Sequence, residues 1–488
     1  MLKNSKKWIL PAILIVGFGL NLAYIFKIPP FRDNDAGIQI QTFRVAQPQS
    51  AKPIQTIPVN TSKSVYESYN SLMKEGDALS LKGRFAFAIN SYRKAANTMP
   101  GSIDPVMKIG AIYLTQKDPT KARESFEEVL NMGSNDFEAK LNIGRAYLME
   151  GNIGEASKSF EQLDPKEEII SYYKGIIAIY LGEYEKGKTL LATINTDTRL
   201  KSKAQAFLNA FTEFSKFEGG QISHLKTLIA KALINAEENT MATQLLSDVI
   251  KSKKDYRDAW ILLGYAYLNG NKPSEASQAL EEAKKLDPAK AETLFFLGLS
   301  YFAENKIDNA IVHLEAALQK GFEPKIQAHQ KLAELYFLKK DYEKSAKAYE
   351  TVLGINSGNV DYFVRPIWIY IEKLNNPKAA LELAKLALKA HPNSAMAYNL
   401  LGWANIANKD YKSAKQNLDK ALAIAPSMSA VYLNLGQLYE KMEYPLTAKD
   451  YYKKAFTLDK KTTSIATTAA EKYNKLEKKT YQANSFNR

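Results

Sequence analysis

"WILLGYAYLNG", Trp260 to Gly270, is a run of large apolar and aromatic side chains with a glycine near its middle. Trp260, Leu263, Gly264 and Tyr267 recur at i, i+3, i+4 and i+7, which is one face of a helix and not the alternation of a strand. A glycine inside a helix costs about 1 kcal/mol against alanine, so its presence needs a reason. The chain continues "NKPSEASQALEEAKKLDP": a polar turn, then Ala276, Leu280 and Ala283 at helical spacing, then Pro288. The next block repeats the scheme with Leu294, Leu297, Gly298, Tyr301, Ala310, Leu314 and Ala317, and Gly264 and Gly298 lie 34 residues apart.

The same register runs both ways. Its glycine position falls at Gly76, Gly110, Gly144, Gly175, Ala230, Gly264, Gly298, Ala333, Trp368, Gly402 and Gly436. From residue 69 to about 462 the chain resembles the tetratricopeptide repeat, whose pattern is W-x2-L-G-x2-Y, then A-x3-F, then P. The resemblance implies an all-α fold, a right-handed α-solenoid of about eleven helix pairs. One pair cannot bury its apolar face alone, so stacked neighbours make the core. The glycine then serves close approach of the first helix to the second, with Ala88, Ala122, Ala276 and Ala414 among the small partners expected there.

The pattern is interrupted between Gly175 and Ala230, which are 55 residues apart. The interval contains "AQAFLNAFTEFSKFEGGQ", with Phe207, Phe211, Phe214 and Phe217 on one helical face. An extra helix over 200–217 is expected, packed on the solenoid or forming a docking face. The following Gly219-Gly220 is a candidate hinge between sub-arrays 63–222 and 223–462. Trp368 at a glycine position, two residues after Pro366, is expected to disturb local packing. Residues 463–480 read as a capping helix and 481–488 as a tail.

At the N-terminus, Lys3, Lys6 and Lys7 precede an uncharged stretch from Trp8 to Phe26. Nineteen helical residues reach about 28 Å, close to a bilayer's apolar thickness. The lysines favour a cytoplasmic residue 1–7 segment, an uncleaved single-pass anchor at 8–26 and a body on the far side, which in a bacterium is the periplasm. Residues 27–62, with Pro29, Pro30, Pro48, Pro53 and Pro58, read as a flexible linker.

Net charge is +14, but its excess sits at the ends. Residues 1–62 carry five Lys and two Arg against two Asp, and residues 449–488 carry nine Lys and one Arg against four acids. The long middle is therefore no basic groove, and nucleic acid is not expected as a partner. There is no cysteine, so thiol chemistry is excluded. The four histidines, His224, His313, His329 and His391, are scattered, and no metal-ligand spacing appears. "GEYEKGKT", Gly182 to Thr189, fits the phosphate-loop pattern by letter. It lies in the turn of a repeat, without the strand that such a loop follows, and Glu183 and Glu185 would repel phosphate. No catalytic residue, cofactor or metal is expected.

In the tetratricopeptide family the first helices line the concave face. That register implies a partner-binding groove of Leu141, Arg145, Leu148, Tyr172, Ile176, Ile179, Ile261, Tyr265, Leu268, Phe295, Leu299 and Phe302, taking a helix or an extended peptide. A carboxylate clamp of the kind some relatives carry is not expected: Asn142 occupies one of its sites, but Glu138 and Asp104 stand where lysines should. The resemblance implies a non-enzymatic scaffold for protein partners, here tethered in the bacterial inner membrane for assembly of an envelope machine. A chaperone-like factor holding unfolded clients near the translocon is the alternative.

Overall fold

The computed structural model describes residues 63–459, apart from Pro165 and Glu218, together with residues 464–486. The expected membrane segment 8–26 and linker 27–62 lie outside the described residues. Among the described residues every regular element is a helix, and none is long and apolar enough to cross a membrane.

The chain divides into two compact units, whose described residues are 63–304 and 305–486. The first holds α1 (Lys63–Leu81) with α2 (Phe85–Thr98), α3 (Asp104–Thr115) with α4 (Pro119–Asn131), α5 (Phe137–Glu150) with α6 (Ile153–Glu161), and α7 (Glu168–Tyr180) with α8 (Tyr184–Ala192). An additional α9 (Thr198–Phe214) follows. Then come α10 (Ile222–Asn235) with α11 (Asn239–Ser252), α12 (Arg257–Asn269) with α13 (Pro273–Leu286), and α14 (Ala291–Ala303). The second unit holds α15 (Ile307–Gln319), α16 (Lys325–Leu338) with α17 (Tyr342–Ile355), and α18 (Val364–Glu372) with α19 (Pro377–Ala390). It ends with α20 (Ala395–Ala407) and α21 (Tyr411–Ile424), α22 (Ser429–Lys441) and α23 (Pro445–Leu458), and α24 (Ser464–Phe486).

The turns between first and second helices share one device. A residue with positive φ stops the first helix, as at Lys117 (58°), Asn271 (58°) and Lys409 (62°). In five of these turns the next residue caps the second helix with its side chain. Asp118, Asn152, Asp341, Asn376 and Asp410 each accept the backbone N–H three residues on, a contact worth about 1 kcal/mol.

The recurrent spacing of glycine has a specific packing cause. A Cβ on Gly110 would meet Phe126, one on Gly144 Phe160, one on Gly264 Leu280, one on Gly402 Leu418 and one on Gly436 Tyr452. The group filling the glycine's space is therefore the large side chain sixteen residues later, four beyond the fully buried alanine of the second helix. The alanine was expected to be the partner; it helps by letting the helices close, and the ring or leucine does the filling.

Successive repeats are also tied by tyrosine hydroxyls. Tyr301 donates to Glu281 (2.8 Å), Tyr370 to Glu350 (2.6 Å), and Tyr336 bonds Glu315. Each links a first helix to the second helix before it, which fixes stacking register more than an apolar contact does.

Two departures have physical causes. At Trp368 the first helix is split: a 3-10 turn over Val360–Phe363 precedes the short α18. Phe363, Ile367 and Ile369 take the buried positions, and the half-buried Trp368 lies beside Phe337, 5.7 Å between ring centres. The other is α9. Phe207 enters the core, Phe211 packs edge-on to Tyr184, and Phe214 lies against the His224 ring. Because α9 packs on both α8 and α10, the first unit continues through Gly219-Gly220, and the two units divide at 304/305.

Glu168 holds the start of α9. Its carboxylate accepts N–H from Asn195 (2.7 Å), Thr196 (2.8 Å) and Asp197 (2.9 Å). These donors hold its pKa down to about 2. A depressed carboxylate supports the fold above its ordinary value, and the support is lost as pH falls through the folded value. Amide exchange at 195–200 is therefore expected to stay slow down to about pH 3 and to quicken below it. Glu168→Ala should give the quick exchange at neutral pH; slow exchange in that variant would show that the segment is held by other contacts.

Candidate functional site

The groove residues read from the register are mostly interior. Leu141, Leu148, Tyr172, Ile176, Ile179, Ile261, Tyr265, Phe295 and Leu299 are buried, Leu268 and Phe302 are half-buried, and Arg145 is exposed. Nine of the twelve thus pack among helices. The set also separates: Arg145 and Tyr172 belong to one cluster, whereas Ile261, Tyr265, Phe295 and Phe302 lie on the adjoining α12 and α14.

The cluster around Arg145 is mixed in charge. Arg145 donates to Asn142 Oδ1 (2.8 Å), and its charge lies close to the Tyr173 hydroxyl. Tyr173 packs edge-on to Tyr172 and stacks on Phe160, 4.7 Å between centres. Glu238, at the start of α11, and Lys203, on α9, add opposite charges nearby. Burial raises the Glu238 pKa, against the pull of Lys203 and Arg145. Burial lowers that of Lys203, whose Nζ donates to Ala236 O (2.8 Å). Burial also pushes Tyr173 up to about 12. The opposite charges of Arg145, Lys203 and Glu238 offset one another.

The first unit carries contacts that neighbour-only stacking does not supply. Thr240 Oγ1 donates to Met149 O (3.0 Å), Gln244 Nε2 to Gly151 O (3.1 Å), and Tyr180 OH to Gln244 Oε1 (3.3 Å). Lys117 Nζ reaches Asn269 O (2.7 Å). The end of α5 therefore touches α11 directly. Gly151 has φ of +80°, and an added Cβ would strike Gln244. Periodicity could not signal this, since it encodes only contacts between successive repeats. Thr240→Val combined with Gln244→Leu removes three of these bonds, each worth about 1 kcal/mol net. Amide exchange should quicken at 147–152 and 240–246 while α12 and α13 stay protected. Unchanged exchange would mean that the contact rests on packing alone.

In the second unit, a cation–aromatic cluster surrounds Trp368. The Arg365 guanidinium lies 4.5 Å from the Phe337 ring centre and 5.5 Å from that of Trp368. Lys373 lies 5.1 Å from Trp368 and 5.7 Å from Tyr342. Phe337, Arg365 and Trp368 are half-buried and Lys373 is exposed, so rings and charges meet solvent together. The groove reading missed this set; the tryptophan at a glycine position was its signal.

The letters of the phosphate-loop pattern are accounted for by packing. Gly182 is the positive-φ stop of α7, and a Cβ on Gly187 would strike Ile179 and the Gly175 carbonyl. Among the described residues no three His, Cys, Asp or Glu side chains are grouped to hold a metal ion.

Family models for the tetratricopeptide repeat match residues 107–167, 295–360 and 372–441, and also 258–290 and 429–462. Among curated proteins none matches this chain. Solved structures similar to it include the APC/C hetero-tetramer Cut9–Hcn1, at 13% identity over 85% of this chain and 99% of that one, TM-score 0.32. Another is the C-terminal part of a repeat-containing protein from Cytophaga hutchinsonii, at 16% identity over 50% and 98%, TM-score 0.40. Yeast Tom70 matches at 13% identity over 86% and 97%, TM-score 0.30. The family matches span just over half of the chain, and the chain belongs to the tetratricopeptide repeat family.

Proposed function

We propose that this protein is a membrane-tethered scaffold that assembles protein partners of the bacterial cell envelope, with its repeats in the periplasm. The observation that supports it most is the array of stacked helix pairs, a fold whose purpose in this family is to present protein-binding surface. The mixed-charge wall at Arg145 and the ring-and-cation cluster at Arg365 and Trp368 supply the aromatic and arginine anchors common at interface hot spots. The uncharged stretch Trp8 to Phe26, preceded by three lysines, supports the tether.

Crosslinking in intact membranes followed by capture of the full chain tests the reading. Recovery of one or a few folded envelope proteins in fixed ratio is expected. Recovery of many unrelated unfolded chains would point to the chaperone-like role instead. Protease added to spheroplasts should degrade the repeats; full protection behind an intact inner membrane would overturn the proposed orientation.

A further inference from the structure

The last turn between a first and a second helix, "KMEYPL" from Lys441 to Leu446, differs from its counterparts. In the ten preceding turns the residue after the positive-φ position is charged or asparagine, and the residue two further on is small, polar or charged. Here those places hold Tyr444 and Leu446. In the three preceding turns of the same unit Asp341, Asn376 and Asp410 cap the second helix, whereas Tyr444 makes no side-chain cap. The turn forgoes a cap and leaves Met442, Tyr444 and Leu446 at 37%, 56% and 66% exposure. Tyr444 stands edge-on to Tyr439, which stacks on Tyr451, so the apex rests on a firm aromatic base.

Exposed lysines stand beside the apex. Lys441 precedes it, and Lys409 and Lys412 are exposed on the corresponding turn of the preceding repeat, with the carboxylate of Asp410 between them. Glu443 is the acid within the apex itself. Over residues 401–478 the chain carries thirteen lysines against eight carboxylates. Exposed tyrosine and leucine with lysines beside them suit a soft surface, into which the apolar side chains can sink while the lysines meet negative headgroups.

We propose that the turn Lys441–Leu446 docks on the surface of an anionic lipid bilayer. This goes beyond the scaffold function and does not rest on residues 1–62. The chain has no cysteine, so Leu446→Cys gives one attachment point for an environment-sensitive fluorophore. The full chain is reconstituted in vesicles of phosphatidylcholine with phosphatidylglycerol, and in vesicles of phosphatidylcholine alone. A severalfold rise and blue shift of emission is expected in the anionic vesicles, diminished by high salt. The same label at Lys378→Cys, the equivalent place two turns earlier, should stay aqueous. Tyr444→Asp, which supplies the cap used elsewhere and so leaves folding intact, should abolish the rise. Aqueous emission at 446 in both vesicles, or equal emission at 446 and 378, would overturn the proposal. So would a rise that follows protein concentration in detergent without vesicles, which would make a second copy of the chain the occupant.

Discussion

Gly264→Leu is expected to destabilise the C-terminal part of the first unit, with amide exchange rising first in α12 and α13. A Cβ at 264 would lie 2.9 Å from Leu280 Cδ2 and closer still to Cγ, and both residues are buried. Leucine favours a helix over glycine by about 1 kcal/mol, which works against the clash. Overpacking a closed core costs about 1–3 kcal/mol, and here three further carbons must be placed beyond a Cβ that already overlaps, so the clash wins. Gly264→Ala separates the two effects: its propensity gain is nearly the same and its excess volume is one methyl. Hydrogen exchange across 257–286 in both variants checks this. Equal protection in the leucine variant and the parent would contradict the glycine-to-second-helix packing.

That packing marks what the sequence could and could not disclose. The filling side chain sixteen residues on, Leu280 for Gly264, was not legible, because the small alanine four residues before it drew the reading. The glycine's close approach to a second helix recurs with the period of 34 and was legible for that reason. The break at Trp368 was legible for the same reason, as a violation of the period. Contacts that occur once leave no periodic trace. The bonds from Thr240 and Gln244 to the carbonyls of Met149 and Gly151 join residues about ninety apart, and nothing in either segment announces the other. The division of the chain into compact units at 304/305 leaves no periodic trace either. Inward-facing register positions, finally, do not separate a wall that meets solvent from one that meets the next repeat. That distinction depends on the neighbouring side chains.

Phe295→Ala should therefore be among the most damaging single changes, through stability. Phe295 is 2% exposed and packs edge-on to Phe296, 5.6 Å between ring centres. Truncating a buried phenylalanine costs about 3–5 kcal/mol, most of it through the cavity that stiff helices cannot close. Arg145→Ala is the contrasting case. Arg145 reaches solvent, and its bond to Asn142 is of the kind worth about 1 kcal/mol net. As an interface anchor, however, its loss would cost about 2 kcal/mol or more of binding, roughly thirtyfold in affinity. Thermal melts should thus rank Phe295→Ala far below Arg145→Ala, and affinity for a captured partner should rank them in reverse wherever the phenylalanine variant remains folded. If Phe295→Ala melts with the parent and yet loses the partner, its ring reaches the ligand, and the first unit must open on binding for that to happen. The bonds between α5 and α11 are the contacts that such an opening would have to break.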